Sequence, residues 1–404
     1  MSKRTFAQSM QALDAMHIAV MGYEKVPLSQ SLGRTLAHDV VAPHDSPSAP
    51  TAAMDGYAIL GADQASGTIA LIGHDNPAGG AIDTVVTQGW GLKTFTGSLM
   101  PAGADTLIPI ENVTVEGGKI RIDTPVREGF SVRSIGENYA KGETLITQGT
   151  VINYAAIGVM ASLGMAMVDV VQRPKVAILS TGSEIMDVGE CATNAAQIYS
   201  SNHYTLASLI EQWGGQAVQL GTARDDYATI KSRIEEALAS CDMVVTTGGV
   251  SVGDYDFVRD IVPALGGELV FQGVLLKPGQ HLILAQKGNK LIIALPGFAY
   301  SSTVTFMLYG APLLARLLGR VYAPTIVEAI MDVPYAKKSN KTEFVACRVR
   351  LVEGVYHVDF EGKKSGSSAI LTNMLGSTAL LMLDEGEVSL SVGARVRLQL
   401  IDIL

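Results

Sequence analysis

The chain has 404 residues, and at about 150 residues per domain this length predicts two to four domains. Hydrophobic residues make up 48% of the chain and charged residues 17%, which excludes an intrinsically disordered protein and allows a large buried core. The formal charge of -9, with no long Lys/Arg run, argues against a non-specific nucleic-acid binder, because such a protein needs a basic face.

Cysteine usage and the first residues predict a cytoplasmic protein. Cys191, Cys241 and Cys347 are isolated from one another, without CxxC spacing or a nearby His at metal-ligand spacing. This pattern is typical of reduced thiols in the cytoplasm. Residues 1–6 lack the apolar run of a secretory signal.

The first predicted element is a helix that begins with a capping box. Thr5 and Gln8 have the spacing of that box, and apolar residues recur on one helical face from Phe6 to Val20. Gly22 is the predicted stop.

A small β domain is predicted next. Three prolines within residues 42–50 exclude a regular helix or a central strand there. Short β-like runs follow, separated by Gly, Asn, Asp and Pro. The runs are Thr68–Ile72, Leu92–Thr96, Thr106–Ile110 and Lys119–Ile122.

Residues 151–171 are apolar enough to resemble a membrane span, but the pattern favours a short helix followed by a strand. Asn153 is suited to cap the helix, and Gly164 to end it in the left-handed conformation. Residues 165–171 then form a buried strand. Asp169 would be costly inside a bilayer, so no membrane segment is predicted.

After Pro174 apolar strands alternate with helices, which predicts a doubly wound sheet with helices on both faces. The strands are 175–179, 217–220, 243–246, 269–271, 281–284 and 291–295, and the helices lie at 206–213, 227–238, 258–265 and 301–318. Residues 324–404 return to β structure, with a hairpin at Glu353-Gly354, and predict a small barrel-like unit.

Three loops of the α/β region are rich in small and polar residues: 180–184, 246–256 and 295–302. Each follows a strand, and ligands of open α/β sheets bind outside the carboxyl ends of the strands. Glycine lets backbone N–H groups approach an anion. We therefore predict one anion-binding pocket. Its predicted substrate-binding residues are Thr181, Gly182, Gly248, Gly249, Ser251, Gly253, Pro296, Gly297 and Ser301.

Carboxylates accompany these loops at Glu184, Asp225, Asp226, Asp254 and Asp256. Surface solvation explains any one of them, but the cluster would repel a phosphate-bearing substrate unless a hard divalent cation, Mg²⁺, bridged the two. Lys277 is either an oxyanion-neutralising residue or a solvated turn residue, and Asp55 either a site residue or a turn residue. His281 alternates into a predicted strand and is expected to be structural.

Taken together, the motifs resemble the molybdopterin molybdenumtransferase family and also the C-terminal domain of gephyrin. They follow the family's order over nearly the whole chain. The matching segments are Met54-Asp55-Gly56-Tyr57-Ala58, Phe95-Thr96-Gly97, 101–105, 180–184, Arg224-Asp225-Asp226, 247–253, Lys277-Pro278-Gly279, Gly366-Ser367-Ser368 and Leu371-Thr372-Asn373.

The resemblance implies a multidomain fold: a doubly wound α/β domain, two small β-rich domains and a mixed N-terminal domain, in an elongated homodimer. The implied boundaries are 1–44 with 137–172, 45–136, 173–320 and 321–404. It also implies insertion of molybdate into adenylylated molybdopterin with release of AMP. Other molybdenum cofactor biosynthesis proteins are the further partners it suggests.

Site residues carry over from the family by motif position. The implied catalytic residues are Asp55, Glu184, Asp225, Asp256 and Lys277, and three of these, Glu184, Asp225 and Asp256, are the implied Mg²⁺ ligands. Thr96 and Ser367 join the substrate-binding set. The active site would combine the α/β domain of one subunit with the N-terminal region of the other, so that Asp55 reaches across the dimer.

Several positions depart from the family pattern. Gly273 stands where a Lys or Arg is usual, Gln280-His281 replaces Lys-Pro, Phe298-Ala299 replaces Asn-Pro, and Asn138 replaces an acidic residue. These changes favour one alternative, a non-catalytic carrier or scaffold that binds molybdopterin or a partner protein. A second alternative is a nucleotide-processing enzyme, because the α/β domain is not tied to one reaction. The sequence does not distinguish molybdate from tungstate as the metal substrate.

Overall fold

The computed structural model describes residues 3–250, 256–364, 368–376, 378–387 and 389–401. The predicted site residues Ser251, Gly253 and Ser367, and the predicted carboxylate Asp254, therefore lie outside the described residues. The chain divides into two compact units. The larger comprises Met1–Ala37, Gly149–Ile152 and Val168–Leu404, and the smaller comprises His38–Gln148 and Asn153–Met167. The finer division into four domains stays a prediction.

The smaller unit is built on a six-stranded sheet that contains all four β runs predicted before residue 126. Ile59, Ile69, Ile108 and Ile120 pack in its core. Two-stranded pairs, Val132–Arg133 with Thr51–Ala52 and Thr144–Ile146 with Val40–Val41, flank this sheet along the chain. The strand order in the sheet is Thr106–Pro109, Gly56–Ile59, Trp90–Thr94, Thr68–Leu71, Lys119–Ile122 and Val113–Glu116.

The apolar stretch 151–171 folds as predicted, as a short helix and a strand. Asn153 caps helix Tyr154–Ser162 by accepting a hydrogen bond from the N–H of Ala156 at 2.9 Å. Gly164 follows the helix with a φ of +73°, the left-handed conformation that glycine adopts without strain. Strand Met167–Val171 comes next and pairs with Tyr23–Pro27. Among the described residues, no helix is long and apolar enough to cross a bilayer.

In the larger unit, the N-terminal helix spans Phe6–Asp14 and begins with the predicted capping box. The N–H of Gln8 donates to Thr5 Oγ1 at 3.1 Å, and the Gln8 side chain returns the bond to the N–H of Thr5. The predicted continuation of the helix to Val20 is wrong. The guanidinium of Arg316 donates to the carbonyls of Leu13 and Met16, so a distant side chain closes the last turn.

A six-stranded sheet forms the centre of the larger unit and confirms the predicted doubly wound α/β fold. Its first four strands are parallel, and the last two are antiparallel to their neighbours. The order is Gln216–Ala223, Lys175–Thr181, Met243–Thr247, Lys290–Leu295, Ile283–Lys287 and Glu268–Gln272.

Helices cover both faces of this sheet. Val176 and Ile178 belong to one buried cluster, while the alternate residues Ala177 and Leu179 belong to another, as a strand buried on both faces requires. The helices are Ser201–Gln212, Tyr227–Ser240, Val258–Ala264, Ala299–Thr305 and Ala311–Leu317.

The predicted single helix 301–318 is wrong in one respect, because a π-helical turn, Phe306–Gly310, interrupts it. A Cβ at Gly310 would lie 2.3 Å from the ring of Phe306. The absence of a side chain at Gly310 therefore makes room for this buried ring inside the interrupted helix.

The C-terminal β region closes into a barrel, as predicted. Strand Thr342–Val352 pairs with both the next strand and the strand Thr378–Leu383, which joins the two ends of the sheet. The hairpin turn has φ values of +49° at Glu353 and +82° at Gly354, as a two-residue type I′ turn requires. Around the barrel the order is Thr342–Val352, Val355–Asp359, Ile326–Met331, Arg395–Leu400 and Thr378–Leu383.

A short strand ties the α/β region to this barrel. Leu276–Lys277 pairs in parallel with the first barrel strand, so that Lys277 lies opposite Glu343. This pairing places the Lys277-Pro278-Gly279 turn beside barrel residues that are more than 60 positions away in the chain.

Candidate functional site

The carboxyl ends of the parallel strands open into one cleft of about 740 Å³. Because neighbouring parallel strands end at the same edge of a sheet, the residues that follow them converge. All three predicted loops and three predicted carboxylates reach the cleft. From the predicted set the structure brings together Thr181, Gly182, Glu184, Asp225, Gly248, Gly249, Asp256, Pro296 and Gly297.

Glycine at position 248 allows two of these loops to touch. Gly248 has a φ of +91°, and a Cβ there would lie 2.6 Å from the carbonyl oxygen of Thr181. Its own N–H donates to the carbonyl of Leu295, and the N–H of Gly182 donates to that of Ala223. These two glycines therefore shape the cleft, while their N–H groups are already engaged within the protein.

Asp225 holds the loop that carries Glu184. Its Oδ2 accepts from the N–H of Ser183 at 3.0 Å, and its own N–H donates to Ser183 Oγ at 3.4 Å. The same loop also contacts the loop 246–256, because the hydroxyls of Ser180 and Thr247 lie 3.0 Å apart. The carboxylate of Asp225 thus has a structural partner as well as a place in the cleft wall.

A buried histidine supports the same loop from behind. The N–H of Ser180 donates to His203 Nε2 at 3.2 Å, and Nδ1 lies 3.4 Å from an Asp187 carboxylate oxygen. Burial lowers the pKa of His203, although Asp187 raises it in part. A neutral ring, protonated on Nδ1, accepts the Ser180 bond, so the loop is held without placing a positive charge behind the cleft.

The three carboxylates suit Mg²⁺ chemically but do not form a ready-made cage. Among the described residues there is no group of three or more His, Cys, Asp or Glu side chains arranged to hold a metal ion. Mg²⁺ is commonly held by one or two carboxylates together with waters and substrate phosphates. The donor set of Glu184, Asp225 and Asp256 therefore fits an ion that is completed by a phosphate-bearing substrate.

Lys277 and Ser301 lie beside the cleft, in an adjoining cavity of about 330 Å³. Lys277 Nζ is 3.3 Å from Oε1 of Glu343, whose side chain is fully buried. Tyr335 and Ser339 also donate to this carboxylate, at 2.9 and 2.7 Å. Glu343 therefore balances much of the charge of Lys277, and nothing in the sequence pattern had pointed to it.

The expectation that His281 lies in a strand is wrong, and its structural role stays a prediction. The strand begins two residues later, at Ile283, and His281 lines both the cleft and the adjoining cavity. Its pKa is lowered by burial first, and then by the charges of Lys3 and Lys341. The site therefore contains a ring and nearby cations that sequence reasoning missed.

Two lysines approach the positions where the family motif has lost cations. Lys341 lines the cavity with Gln280, and within the part of the chain that the structure describes it has no carboxylate partner at ion-pair distance. At the other position, a Cβ on Gly273 would lie 3.1 Å from Cγ of Lys3. The side chains of Lys3 and Lys341 therefore lie near these two positions, and the charges of both lysines lower the pKa of His281.

Asp55 and Thr96 belong to the smaller unit, where they bind each other. The N–H and the hydroxyl of Thr96 donate to the same Asp55 oxygen, at 2.8 and 2.7 Å. The backbone bond, followed by the hydroxyl bond, holds the pKa of the exposed Asp55 carboxyl below its usual value. Two predicted site residues that are 41 positions apart are therefore direct partners.

Three family models match successive parts of the chain. The MoeA N-terminal region (domain I and II) covers residues 4–164, the probable molybdopterin binding domain covers 177–316, and the MoeA C-terminal region (domain IV) covers 328–401. The matches follow one another without overlap and include the described site residues named above, except Lys3.

Whole-length relatives agree with these matches. The chain is 32% identical to a molybdopterin molybdenumtransferase from a Nostoc species, over 92% of this chain and 87% of the relative. It is 29% identical to the enzyme of the same name from Haemophilus influenzae, over 93% of each. A crystal structure of the molybdopterin biosynthesis MoeA protein from Pyrococcus horikoshii superposes with a TM-score of 0.84 and 28% identity, covering 99% of both chains.

Proposed function

Because the chain belongs to the molybdopterin molybdenumtransferase family, we propose that it inserts molybdate into adenylylated molybdopterin and releases AMP. The family resemblance predicted from the motifs is thereby confirmed, as is an enzyme of this type acting in molybdenum cofactor biosynthesis. The observation that carries the finer proposal is that Glu184, Asp225 and Asp256 line one cleft together with glycine and hydroxyl residues of all three loops.

The proposed reaction adds water across the phosphoanhydride bond, which separates AMP from the pterin phosphate, while the pterin takes the metal from molybdate and one molybdate oxygen leaves as water. In this proposal Ser180, Thr181 and Thr247, whose hydroxyls belong to residues lining the cleft and also bond to one another's segments, bind the phosphate oxygens. Carboxylates cannot do this themselves, because they repel a phosphate. Glu184 and Asp256 would hold Mg²⁺, with Asp225 fixing the Glu184 loop; the bound ion would supply the charge neutralisation that the phosphoanhydride needs.

Metal removal gives a direct test of this arrangement. We expect AMP release to stop when the divalent cation is removed with EDTA, and to return when Mg²⁺ is added, because the cleft wall is acidic without it. The measurement is AMP produced from adenylylated molybdopterin and molybdate, separated by chromatography. Undiminished AMP release in EDTA would contradict the magnesium assignment.

The same assay separates the proposed transferase from its rivals. Release of AMP that requires molybdate supports the transferase. Release that is independent of molybdate would instead indicate a nucleotide-processing enzyme. Tight binding of molybdopterin without turnover would indicate a carrier or scaffold, the alternative that the changes at Gly273 and Gln280 left open. Tungstate in place of molybdate tests the choice of metal.

We further propose that Lys341 supplies oxyanion charge that the motif has lost at Gln280. Lys277 shares the same cavity, but its charge is balanced by buried Glu343. Lys341→Gln should raise KM for molybdate by about tenfold, as expected for a charge-assisted hydrogen bond, with a smaller change in kcat. Initial rates of AMP release against molybdate concentration measure this effect.

A neighbouring lysine provides the matched control. Lys338 lies three residues away, is exposed, and lines neither the cleft nor the cavity of Lys277. Lys338→Gln therefore removes the same charge without the same position. An equal rise in KM in both variants would show a general charge effect and overturn the role of Lys341. Gln280→Lys in the Lys341→Gln background should restore affinity, since it returns a cation to the same cavity.

Subunit organisation is also part of the proposal. The family resemblance implies a homodimer in the cytoplasm, with Asp55 of the partner subunit completing the site, and contacts with other cofactor-biosynthesis proteins. The pairing of Asp55 with Thr96 supports a shared role, because the carboxylate is held ionised and fixed in direction by two bonds.

A further inference from the structure

The rim of the cleft carries large apolar side chains that are exposed to solvent. Phe298 is 61% exposed, Ile198 54% and Tyr199 52%, and all three line the cleft. Exposure of an aromatic ring to water is unfavourable in free energy. An exposed ring at the mouth of a polar pocket therefore marks a surface suited to binding a ligand. The carboxylate of Glu184 belongs to a neighbouring segment, because the N–H of Ile198 donates to the carbonyl of Glu184 and Ile185–Met186 pairs with Ile198–Tyr199. The rim therefore carries apolar side chains next to charged ones.

The backbone under Phe298 is fixed, although its ring is exposed. The side-chain amide of Asn202 donates to the carbonyl of Gly297 at 2.8 Å, and Ser302 Oγ donates to Asn202 Oδ1 at 3.0 Å. Asn202 lies in the first turn of the helix that follows Ile198 and Tyr199. One buried amide therefore ties together the two segments that present the exposed rings.

The two cavities differ in charge, and this difference indicates whether the pterin or the adenine of the substrate lies at the rim. Lys277 and Lys341 line the adjoining cavity and attract a dianion such as molybdate, whereas the cleft with its carboxylates suits a metal-bound phosphoanhydride. The pterin must lie on the molybdate side of the phosphoanhydride, because it receives the metal. The adenine base is then the planar group on the cleft side, where Tyr199 and Ile198 lie. Phe298 lines both cavities, so its ring stands between them and is within reach of the cleft side.

We propose that Phe298, assisted by Tyr199, stacks on the adenine base of the adenylyl group and is a specificity-determining residue of this chain. The inference rests on the proposed function for the identity of the substrate. Phe298 occupies the position where the family motif has Asn, so the contact distinguishes this chain from the motif's usual form. A base stacked on an aromatic side chain gains enough affinity to be measured without any hydrogen-bond readout.

Direct binding tests the stacking independently of turnover. We expect Phe298→Ala and Phe298→Asn to weaken AMP binding by about tenfold, and Phe298→Trp to retain it, because only the aromatic face is needed. Ribose 5-phosphate carries the same sugar phosphate without a base, and its Kd should be unchanged in all three variants. Isothermal titration calorimetry in Mg²⁺ measures each Kd.

A control and a second ligand make the result specific. Tyr204 is 46% exposed on the helix Ser201–Gln212 and lines neither cavity, so Tyr204→Ala should leave AMP binding unchanged. Equal weakening of AMP and ribose 5-phosphate in Phe298→Ala would indicate a collapsed loop and overturn the proposal. Unchanged AMP binding with weaker neopterin binding would also overturn it, by moving the contact to the pterin.

Failure of the inference and failure of the proposed function give different results. Wild-type protein that releases AMP in a molybdate-dependent manner, with a Phe298→Ala variant whose AMP affinity is intact, overturns the stacking alone. Wild-type protein that binds AMP through Phe298 but shows no molybdate-dependent release overturns the transferase and supports the base contact. In the active enzyme, Phe298→Ala should raise KM for the adenylylated substrate more than it lowers kcat.

Discussion

Asp256→Asn should reduce molybdate-dependent AMP release by about a hundredfold or more, the scale on which loss of one electrostatic group in a closed site lowers kcat. Asn keeps the size of Asp but removes the charge that would hold Mg²⁺ in the cleft. Glu184→Gln should have an effect of the same order. The measurement is kcat at saturating Mg²⁺ and molybdate, together with the Mg²⁺ concentration needed for half-maximal rate.

The two carboxylate variants also test whether both residues act on one ion. If they do, the double variant Glu184→Gln with Asp256→Asn should be little worse than either single variant, because effects on a shared ligand are not additive. Asp260→Asn serves as the control, since Asp260 is four residues from Asp256 and pairs with Arg259 away from the cleft. Normal activity in Asp256→Asn would remove this residue from the proposed metal site.

Gly279→Ala should lower the free energy of unfolding by about 3 kcal/mol or more, combining left-handed backbone strain with overpacking. Gly279 has a φ of +99°, and a Cβ there would lie 2.0 Å from Cγ2 of Thr305. Thr305 is fully buried in helix Ala299–Thr305, and its hydroxyl donates to the carbonyl of Ser301. The helix must move, which would displace Ser301 and the Lys277 turn.

A control glycine without close neighbours separates the cost of the left-handed backbone from the cost of steric overlap. Gly288 has a φ of +57°, and a Cβ there would meet no heavy atom within 4 Å, so Gly288→Ala carries the backbone cost alone. Thr305→Ser removes the colliding methyl group and keeps the hydroxyl bond, so adding it to Gly279→Ala should recover part of the stability. Equal destabilisation by Gly279→Ala and Gly288→Ala, measured by urea denaturation, would contradict the packing argument.

Helix beginnings were predictable from sequence, but helix ends were less so. The capping box at Thr5 and Gln8 and the cap at Asn153 are local signals, because donor and acceptor lie within three residues. The end of the first helix depends on Arg316, about 300 positions away. The interruption of the last helix depends on how Phe306 packs against Gly310 in a buried layer, which periodicity does not report.

The ion pair between Lys277 and Glu343 also could not be predicted from local sequence. Lys277 was visible as a candidate because it stands in a Pro-Gly turn after an apolar strand. Its partner Glu343 lies 66 positions later, and the pairing follows from the register between the short strand Leu276–Lys277 and the first barrel strand. Lys341 reaches the cavity for the same reason.

By itself the sequence determined the convergence of the three loops and of Glu184, Asp225 and Asp256. Strands that alternate with helices must run parallel, and parallel neighbours release their loops at one edge of the sheet. Tertiary structure alone decided what surrounds those loops. It places the buried Glu343 beside Lys277, the cations Lys3 and Lys341 near His281, and the exposed ring of Phe298 at the rim of the cleft. These contacts join segments far apart in the chain, and no local pattern encodes a contact whose partner is set by the packing of separate elements.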